Sequence, residues 1–183
     1  MIGVKLVGDW KMAKRVLETA PAAFDRALKA TIGAEAERIA GGIRKKIYSN
    51  IKPPNQPSTI TLKGSSKTLV ASGGMAQSVQ LVWKGKFQVF IGIPAQAKKG
   101  VARLADINEH GRVIVQHMTD KQRKFLHAKF PSYSGGTGTG IVVIHVPARP
   151  FIKPVFEEYE QAGKPKFLKA LGENLEAWAH GGG

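Results

Sequence analysis

Metal binding and acid–base catalysis would fall most readily to the five histidines, at positions 110, 117, 127, 145 and 180. None of them belongs to an H-E-x-x-H motif, and no two are four residues apart. The nearest approach to a ligand set is Glu109-His110 with His117, which only the fold could bring together. We therefore predict no metal site.

Nucleophilic catalysis and phosphate binding have equally little support. Ser72-Gly73-Gly74 follows an apolar run but is not a G-x-S-x-G elbow. The glycines at 135, 136, 138 and 140 have the wrong spacing for a dinucleotide fingerprint, and no Gly-Lys-Ser/Thr is present. The chain has no cysteine, so thiolate nucleophiles, thiolate zinc sites and disulfides are excluded.

The few acidic residues in the middle of the chain are Asp106, Glu109 and Asp120. Each has many basic neighbours in sequence, so we expect salt bridges there and not general acids. The sequence predicts a protein that is not an enzyme, with no catalytic residue and no cofactor.

The formal net charge is +15 in 183 residues, which favours phosphate, anionic lipid or an acidic protein surface as a partner. Residues 44–129 carry sixteen basic and three acidic side chains, a net of +13, whereas residues 151–183 carry four basic and five acidic ones, a net of −1. Such a distribution would suit a head-to-tail contact between copies. No apolar run reaches the ~18 residues of a membrane span, so we expect no membrane partner and a soluble protein made in the cytosol.

One basic residue stands apart from this general charge. Arg149 lies between Pro147 and Pro150, where an apolar strand over residues 141–146 is predicted to turn into a helix. The flanking prolines fix its backbone, so we expect a pre-organised guanidinium directed at a carboxylate of an adjoining subunit. The alternative is a corner within a core, with Arg149 facing solvent. Phe151 begins an apolar series with Val155 and is expected to be buried.

The elements that must position these residues form a single α+β domain over residues 1–183. A small, mainly antiparallel sheet is predicted to pack against a long N-terminal helix and C-terminal helices. The expected segments are a strand and short helix in 1–20, a helix over 21–48 started by Pro21, an extended loop or arm over 51–67, a sheet with short helices over 76–147, and C-terminal helices over 150–180 interrupted at Gly163 and Pro165.

Within the sheet region, a hairpin is expected around Lys84-Gly85-Lys86. A short helix over residues 102–109 should end at Gly111, and Thr119 should cap a basic helix over 120–129. The loops over 51–67 and 131–140 lack obvious anchors, so we expect both to become ordered only on assembly.

Four stretches, in this order, resemble a family of small tailed-bacteriophage proteins described as neck, tail-completion, minor tail or virion morphogenesis proteins. They are LVASG with Ser78-Val79, at residues 69–79; ADINEHG, at 105–111; a Thr-to-Phe helix, at 118–130; and VPARPF, at 146–151. The resemblance covers roughly residues 20 to 160. Its specificity lies in the order of the motifs.

The resemblance implies a structural virion protein that forms a homo-oligomeric ring, with a hexamer as one expected size, at the neck. Its partners would be further copies, head-connector proteins and tail-terminator or tail-tube proteins, with non-specific DNA contact in the lumen. The expected location is the virion, after synthesis in the host bacterial cytoplasm. The residues predicted at interfaces are Arg149, Phe151, Glu157, Glu158, Glu160, Lys121, Arg123 and Lys124.

A second basic group, Arg44-Lys45-Lys46, ends the long helix. It would interact with the negative end of the helix dipole or, alternatively, form a patch that binds phosphate or an acidic partner. The competing function is a basic nucleic-acid-binding protein, in which Trp83, Phe87, Phe90 and Phe125 could stack on bases. Those aromatics fall largely on positions predicted to be buried, so we favour the virion interpretation.

Overall fold

A computed structural model of the chain describes residues 10–70, 72–98, 100–130 and 140–179. Within these residues the protein is α+β, which confirms the predicted fold class. The elements in chain order are α1 (Trp10–Tyr48), α2 (Pro57–Lys63), α3 (Gly74–Gln77), β1 (Gln80–Gly85), β2 (Gln88–Gly92), α4 (Val101–His110), β3 (Arg112–His117), α5 (Asp120–Lys129), β4 (Ile141–Val146) and α6 (Lys153–Ala179).

Helix α1 is longer than the sequence predicts. It begins at Trp10, and Pro21 lies inside it, so the expected start at Pro21 is wrong. The missing N–H of Pro21 removes one helix hydrogen bond, but the alanines on both sides of Pro21 are the strongest helix formers and favour continuation. The predicted strand over residues 2–8 lies outside the described residues.

The core forms where the C-terminal half of α1 meets the rest of the chain. Ile43 and Ile47 of α1 and Phe151 are fully buried and share one cluster with Leu69. The predicted burial of Phe151 is confirmed. A cluster that joins residues from α1 to the start of α6 ties most of the described chain into one unit.

Helix α6 runs without a break from Lys153 to Ala179, so the interruption expected at Gly163 and Pro165 is wrong. Pro165 and Gln161, whose carbonyl loses its helix partner, are both exposed, and water can supply the missing hydrogen bond. Gly163 is buried beneath the ring of Tyr159. The glycine is therefore needed for close packing and does not end the helix.

Helices α1 and α6 pack side by side and run antiparallel. At one end, a Cβ on Gly42 would lie 3.0 Å from Cγ1 of Val155. At the other end, the side-chain amide of Asn174 donates a 2.9 Å hydrogen bond to Oγ1 of Thr31, which is itself buried. The absence of a side chain at Gly42 therefore allows the two helices to approach closely there.

The predicted single sheet is two separate antiparallel ribbons. In the first, β1 pairs with β2 around the turn at residues 85–88, as the sequence predicts. In the second, β3 pairs with β4 in register, with Ile114 opposite Ile144. Helix α5 and residues 131–139 connect the strands of the second ribbon, and the loop predicted over 131–140 lies outside the described residues except for Gly140.

The segment over 51–67 is not the unanchored arm that the sequence predicts. It contains α2, and the buried Asn55 side chain donates to the carbonyls of Lys67 and Thr68. The Thr68 hydroxyl in turn donates to the Ile51 carbonyl at 3.0 Å. The two ends of the segment are therefore bound to each other within a single copy of the chain.

Candidate functional site

Arg149 lies in the corner between β4 and α6 and points into the protein. Only 9% of the residue is exposed. Its Nε donates a 2.8 Å hydrogen bond to the Pro53 carbonyl, and Nη2 donates a 3.2 Å hydrogen bond to the Pro54 carbonyl. Its backbone amide donates to the Asn108 carbonyl at 2.6 Å. The predicted presentation of Arg149 to an adjoining subunit is therefore wrong, and so is the solvent-facing alternative.

The surroundings of Arg149 are cationic as well as buried. Burial lowers the pKa of the Arg149 guanidinium, although an arginine remains ionised at any physiological pH. Burial, and then the charge of Arg149, lowers the pKa of Lys63. Backbone carbonyls offset these costs, because the Lys63 ammonium donates to Lys67 and Thr68 at 2.8 and 2.7 Å. Both cations hold residues 51–68 in place.

The carboxylate of Glu109 completes the corner. Oε2 accepts hydrogen bonds from the amides of Phe151 and Ile152 at 2.9 and 3.0 Å, and Oε1 accepts one from the amide of Lys153 at 2.8 Å. These are amides at the start of α6, which have no partner within the helix. Glu109, at the end of α4, therefore caps α6 and does not form the salt bridge that the sequence predicts.

The other two acidic residues of the middle region do pair as expected. Oδ1 of Asp106 lies 3.1 Å from Nδ1 of His110, and Asp120 forms an ion pair with Arg123. The predicted N-cap of α5 is also confirmed, since the Thr119 hydroxyl accepts from the Gln122 amide and the Gln122 side chain accepts from the Thr119 amide.

Gly111 allows α4 and the corner to approach closely. Its φ of +74° lies in the left-handed region, and an added Cβ would lie 2.8 Å from the backbone nitrogen of Ala148. The helix that should end at Gly111 does so, at His110. Glu109 and Gly111 therefore both contribute to the position of residues 148–153. Glu109 accepts hydrogen bonds from this segment, and Gly111 leaves space for its backbone.

Three of the four motif stretches meet at this corner. Leu69, Ala105 and Phe151 belong to one buried cluster, and Glu109 and Arg149 lie beside it. The residues described contain no buried side-chain nitrogen or oxygen without a hydrogen-bond partner. All the polar groups that meet here are used in holding chain segments together, so the corner is architectural.

The predicted interface residues of α5 and α6 are mostly exposed. Lys121, Lys124, Glu158 and Glu160 are exposed, and Glu157 lies 3.7 Å from Lys153 across one helical turn. The Arg123 side chain is largely covered, and Phe151 is fully buried, so neither offers itself to a partner. The structure does not bring the α5 and α6 groups together within one copy.

The basic triplet at the end of α1 does not form one patch. Nη2 of Arg44 donates to the Val79 carbonyl at 3.0 Å, Lys45 is exposed, and Lys46 is half-buried. Consecutive residues of a helix point in different directions, which explains the separation. Lys45 and Lys46 do lie in the last helical turn, where the dipole favours them.

Three of the four aromatic side chains expected on buried positions are exposed. Trp83, Phe90 and Phe125 are 41%, 37% and 50% exposed, and that expectation is wrong for them. The ammonium of Lys29 lies 5.4 Å from the centre of the Trp83 ring, a cation–π distance. Phe87 is half-buried, with the Lys86 ammonium 5.0 Å from its ring centre.

Sequence reasoning missed the exposure of the β3–β4 ribbon. Val115 is 61% exposed and Ile141 is 60% exposed, and Val113 and Val143 are exposed as well. A two-stranded ribbon has no second layer unless another element covers it. The run of β-branched residues in both strands is typical of strands that are buried on both faces, so the sequence itself contained no indication of this exposure.

The described histidines lie apart from one another or at the ends of the ribbon. His117 pairs with Ile141 and His145 pairs with Val113 in the strand register. Nowhere in the described ranges do three histidine or acidic side chains gather as a metal site would require. In the same residues, no helix has both the length and the apolar character needed to cross a bilayer.

No protein-family model, curated protein or solved structure matches the chain.

Proposed function

We propose that the protein is a structural component of a tailed-phage virion, which forms a homo-oligomeric ring at the neck and acts in tail completion or head–tail joining. The observation that carries the proposal is the convergence of the motif residues. The resemblance is to an ordered set of short motifs, and three of those motifs contribute to one corner of the fold.

This convergence supports the resemblance because chance matches to short motifs have no reason to meet in space. Glu109 and Phe151 are 42 positions apart, yet they are hydrogen-bonded. Gly111, from the same motif as Glu109, leaves room for the backbone of Ala148 in the PARPF stretch. The motif positions therefore behave as one structural unit, as the sequence signature of a fold would.

The surface also supports an assembly function. Charged and apolar side chains that would carry interfaces are exposed on α5, α6 and the β3–β4 ribbon. In a ring protein, function consists of complementary interfaces, to which buried apolar anchors and matched charges contribute. The partners would be further copies, a head connector and a tail-terminator or tail-tube protein.

The test combines solution mass, electron microscopy and complementation. We expect the purified protein to form closed rings of one stoichiometry. We also expect it, when supplied to a phage whose own copy is deleted, to restore the joining of heads to tails. If the protein forms rings but restores no infectious particles, the proposed neck function is wrong. If the protein stays monomeric at every concentration, the proposed ring is wrong.

The exposed aromatics favour a second candidate, a basic nucleic-acid-binding protein. Phe125 is half exposed on α5, close to the exposed Lys121 and Lys124, and base stacking beside cations is typical of single-strand binding. If this candidate is correct, affinity for DNA should fall by orders of magnitude between ~50 and ~200 mM salt, because phosphate neutralisation releases counterions. Alanines at the exposed Lys121 and Lys124 should then greatly weaken binding and leave assembly intact.

A further inference from the structure

The outward side of α6 changes character along its length. Glu157, Glu160, Lys164, Leu168 and Leu171 follow one another at intervals of three or four residues and so lie on one side of the helix. Its first part carries two carboxylates and its second part is apolar, with Lys164 between them. Leu168, 66% exposed, lines a groove of about 390 Å³ with Tyr159, Lys164 and Phe167.

This apolar part of α6 has no cover within the described chain. Helix α6 packs chiefly on α1, which covers the opposite side of the helix. Among the described residues, Leu168 therefore remains available to a partner.

The β3–β4 ribbon presents a matching apolar surface. Directly paired residues of an antiparallel ribbon project to the same side. The pairs on this side are Val113 with His145, Val115 with Val143, and His117 with Ile141. Four exposed β-branched side chains therefore share one side of the ribbon: Val113, Val115, Ile141 and Val143. Neither strand has a second neighbour among the described strands.

We propose that this side of the β3–β4 ribbon docks on the outward side of α6 in a second copy of the chain, with the valines of the ribbon against Leu168. This contact would be the repeating interface of the ring, and in that respect it rests on the proposed function. The two surfaces are different and lie on the same chain, so each copy can donate a ribbon and receive one.

Charge complementarity identifies α6 as the receiving surface. Only residues 118 and 119 separate β3 from α5, so the exposed Lys121 and Lys124 accompany the ribbon. Glu160 is exposed next to the groove and makes no ion pair within the described part of the chain. Docking the apolar surfaces brings these opposite charges near each other.

The same charges disfavour the symmetric alternatives. Pairing ribbon with ribbon would bring two basic α5 helices together. Pairing α6 with α6 would leave Lys121 and Lys124 without the acidic partner that Glu160 offers. Like charges across an interface oppose association. The ribbon side itself carries no lysine or arginine, which distinguishes it from a phosphate-binding surface.

The test uses disulfide cross-linking, for which the absence of native cysteine gives a clean background. We would prepare V115C, L168C and, as a control at an exposed position just after α1, S49C. Under mild oxidation, an equimolar mixture of V115C and L168C should give a cross-linked dimer. The V115C/L168C double variant should give a ladder of higher oligomers. Neither single variant alone, nor either one mixed with S49C, should give more than background.

Charge reversal supplies a second, independent measurement. Lys124→Glu and Glu160→Lys should each raise the self-association constant Kd at least tenfold, and the double reversal should recover most of the loss. Rescue would separate a direct contact from a folding defect. Circular dichroism of each variant should match that of the parent.

Each outcome has a definite meaning. Rings without a V115C–L168C cross-link, or a cross-link between two V115C chains, would overturn this interface and leave the ring function standing. If the expected cross-link forms but the protein fails to join heads to tails, the interface is supported and the proposed neck function is wrong. If Lys124→Glu weakened duplex DNA binding without weakening self-association, α5 would be a nucleic-acid surface and the proposed docking would be wrong.

Discussion

The side chain of Glu109 accepts a 2.9 Å hydrogen bond from the backbone amide of Phe151, across 42 positions of sequence. The same carboxylate accepts from the next two amides, so the end of α4 supplies the cap of α6. A negative charge at a helix N-terminus also interacts favourably with the helix dipole. The position of α6 is thereby fixed relative to α4.

Replacing Glu109 by alanine should lower the free energy of unfolding by ~2–3 kcal/mol, because three amides lose an ionised acceptor. Denaturant unfolding followed by circular dichroism measures this loss. Glu109→Gln retains one acceptor oxygen and should fall between the parent and the alanine variant. Equal stability of Glu109→Ala and the parent would show that water replaces the carboxylate without cost.

Reversing the charge at Arg149 should prevent stable folding. Arg149→Glu would place a carboxylate against the carbonyls of Pro53 and Pro54, and a buried charge without a partner costs ~3–5 kcal/mol or more. Hydrogen exchange should show loss of protection in residues 51–70 first. Arg26→Glu, at an exposed position in the middle of α1, is the matched control and should change stability by less than ~0.5 kcal/mol. A folded, protected Arg149→Glu protein would contradict the buried position of this side chain.

Substitution of Gly111 should be far more damaging than substitution of Gly100. Both residues have positive φ, so alanine costs ~1 kcal/mol of backbone strain at each. Only at Gly111 would the new Cβ meet the backbone of another segment, at 2.8 Å from the Ala148 nitrogen. At Gly100 no described atom other than those of its neighbours in sequence lies within 4 Å. Thermal unfolding should therefore show a small decrease in Tm for Gly100→Ala and a large one for Gly111→Ala. Similar decreases would mean that the corner can move to accommodate a methyl group.

Two adjacent glycines of α1 offer a comparison of propensity with packing. Gly41→Ala should stabilise the protein by ~0.5–1 kcal/mol, because alanine is the better helix former and, outside the adjacent backbone of α1, no described atom lies within 4 Å of the new Cβ. Gly42→Ala should lose this gain or reverse it, because its Cβ would lie 3.0 Å from Cγ1 of Val155. Chemical denaturation of both variants measures the difference. Equal gains would show that α1 and α6 separate easily.

The elements that the sequence predicted well are those with local signals. Gly111 ends α4 where expected, and Thr119 caps α5 with the help of Gln122 three residues later. The predicted helix start at Pro21 and helix break at Pro165 were wrong, because the effect of a proline on a helix depends on its surroundings. Each removes one hydrogen bond, which long helices packed against each other can tolerate.

The corner at Arg149 could not be predicted from its neighbours in sequence. The carbonyls that bind the guanidinium belong to residues 95 and 96 positions away. The prolines on either side of Arg149 indicated a fixed backbone, but they carried no information about whether its side chain points into the protein or into solvent. Likewise, Glu109 was expected in a salt bridge because nearby residues are basic, and its actual partners are amides of α6. Long-range hydrogen bonds to backbone leave no pattern in a single sequence.

The antiparallel pairing of α1 with α6 has a consequence for synthesis on the ribosome. Thr31 and Asn174, which join the two helices, are 143 positions apart, so almost the whole described chain must emerge before this contact can form. Until then, the side of α1 that α6 covers is exposed to water. Folding of the domain therefore cannot be completed before residue 174 has left the ribosome, and until then the nascent chain is a natural client for chaperones that bind apolar helices.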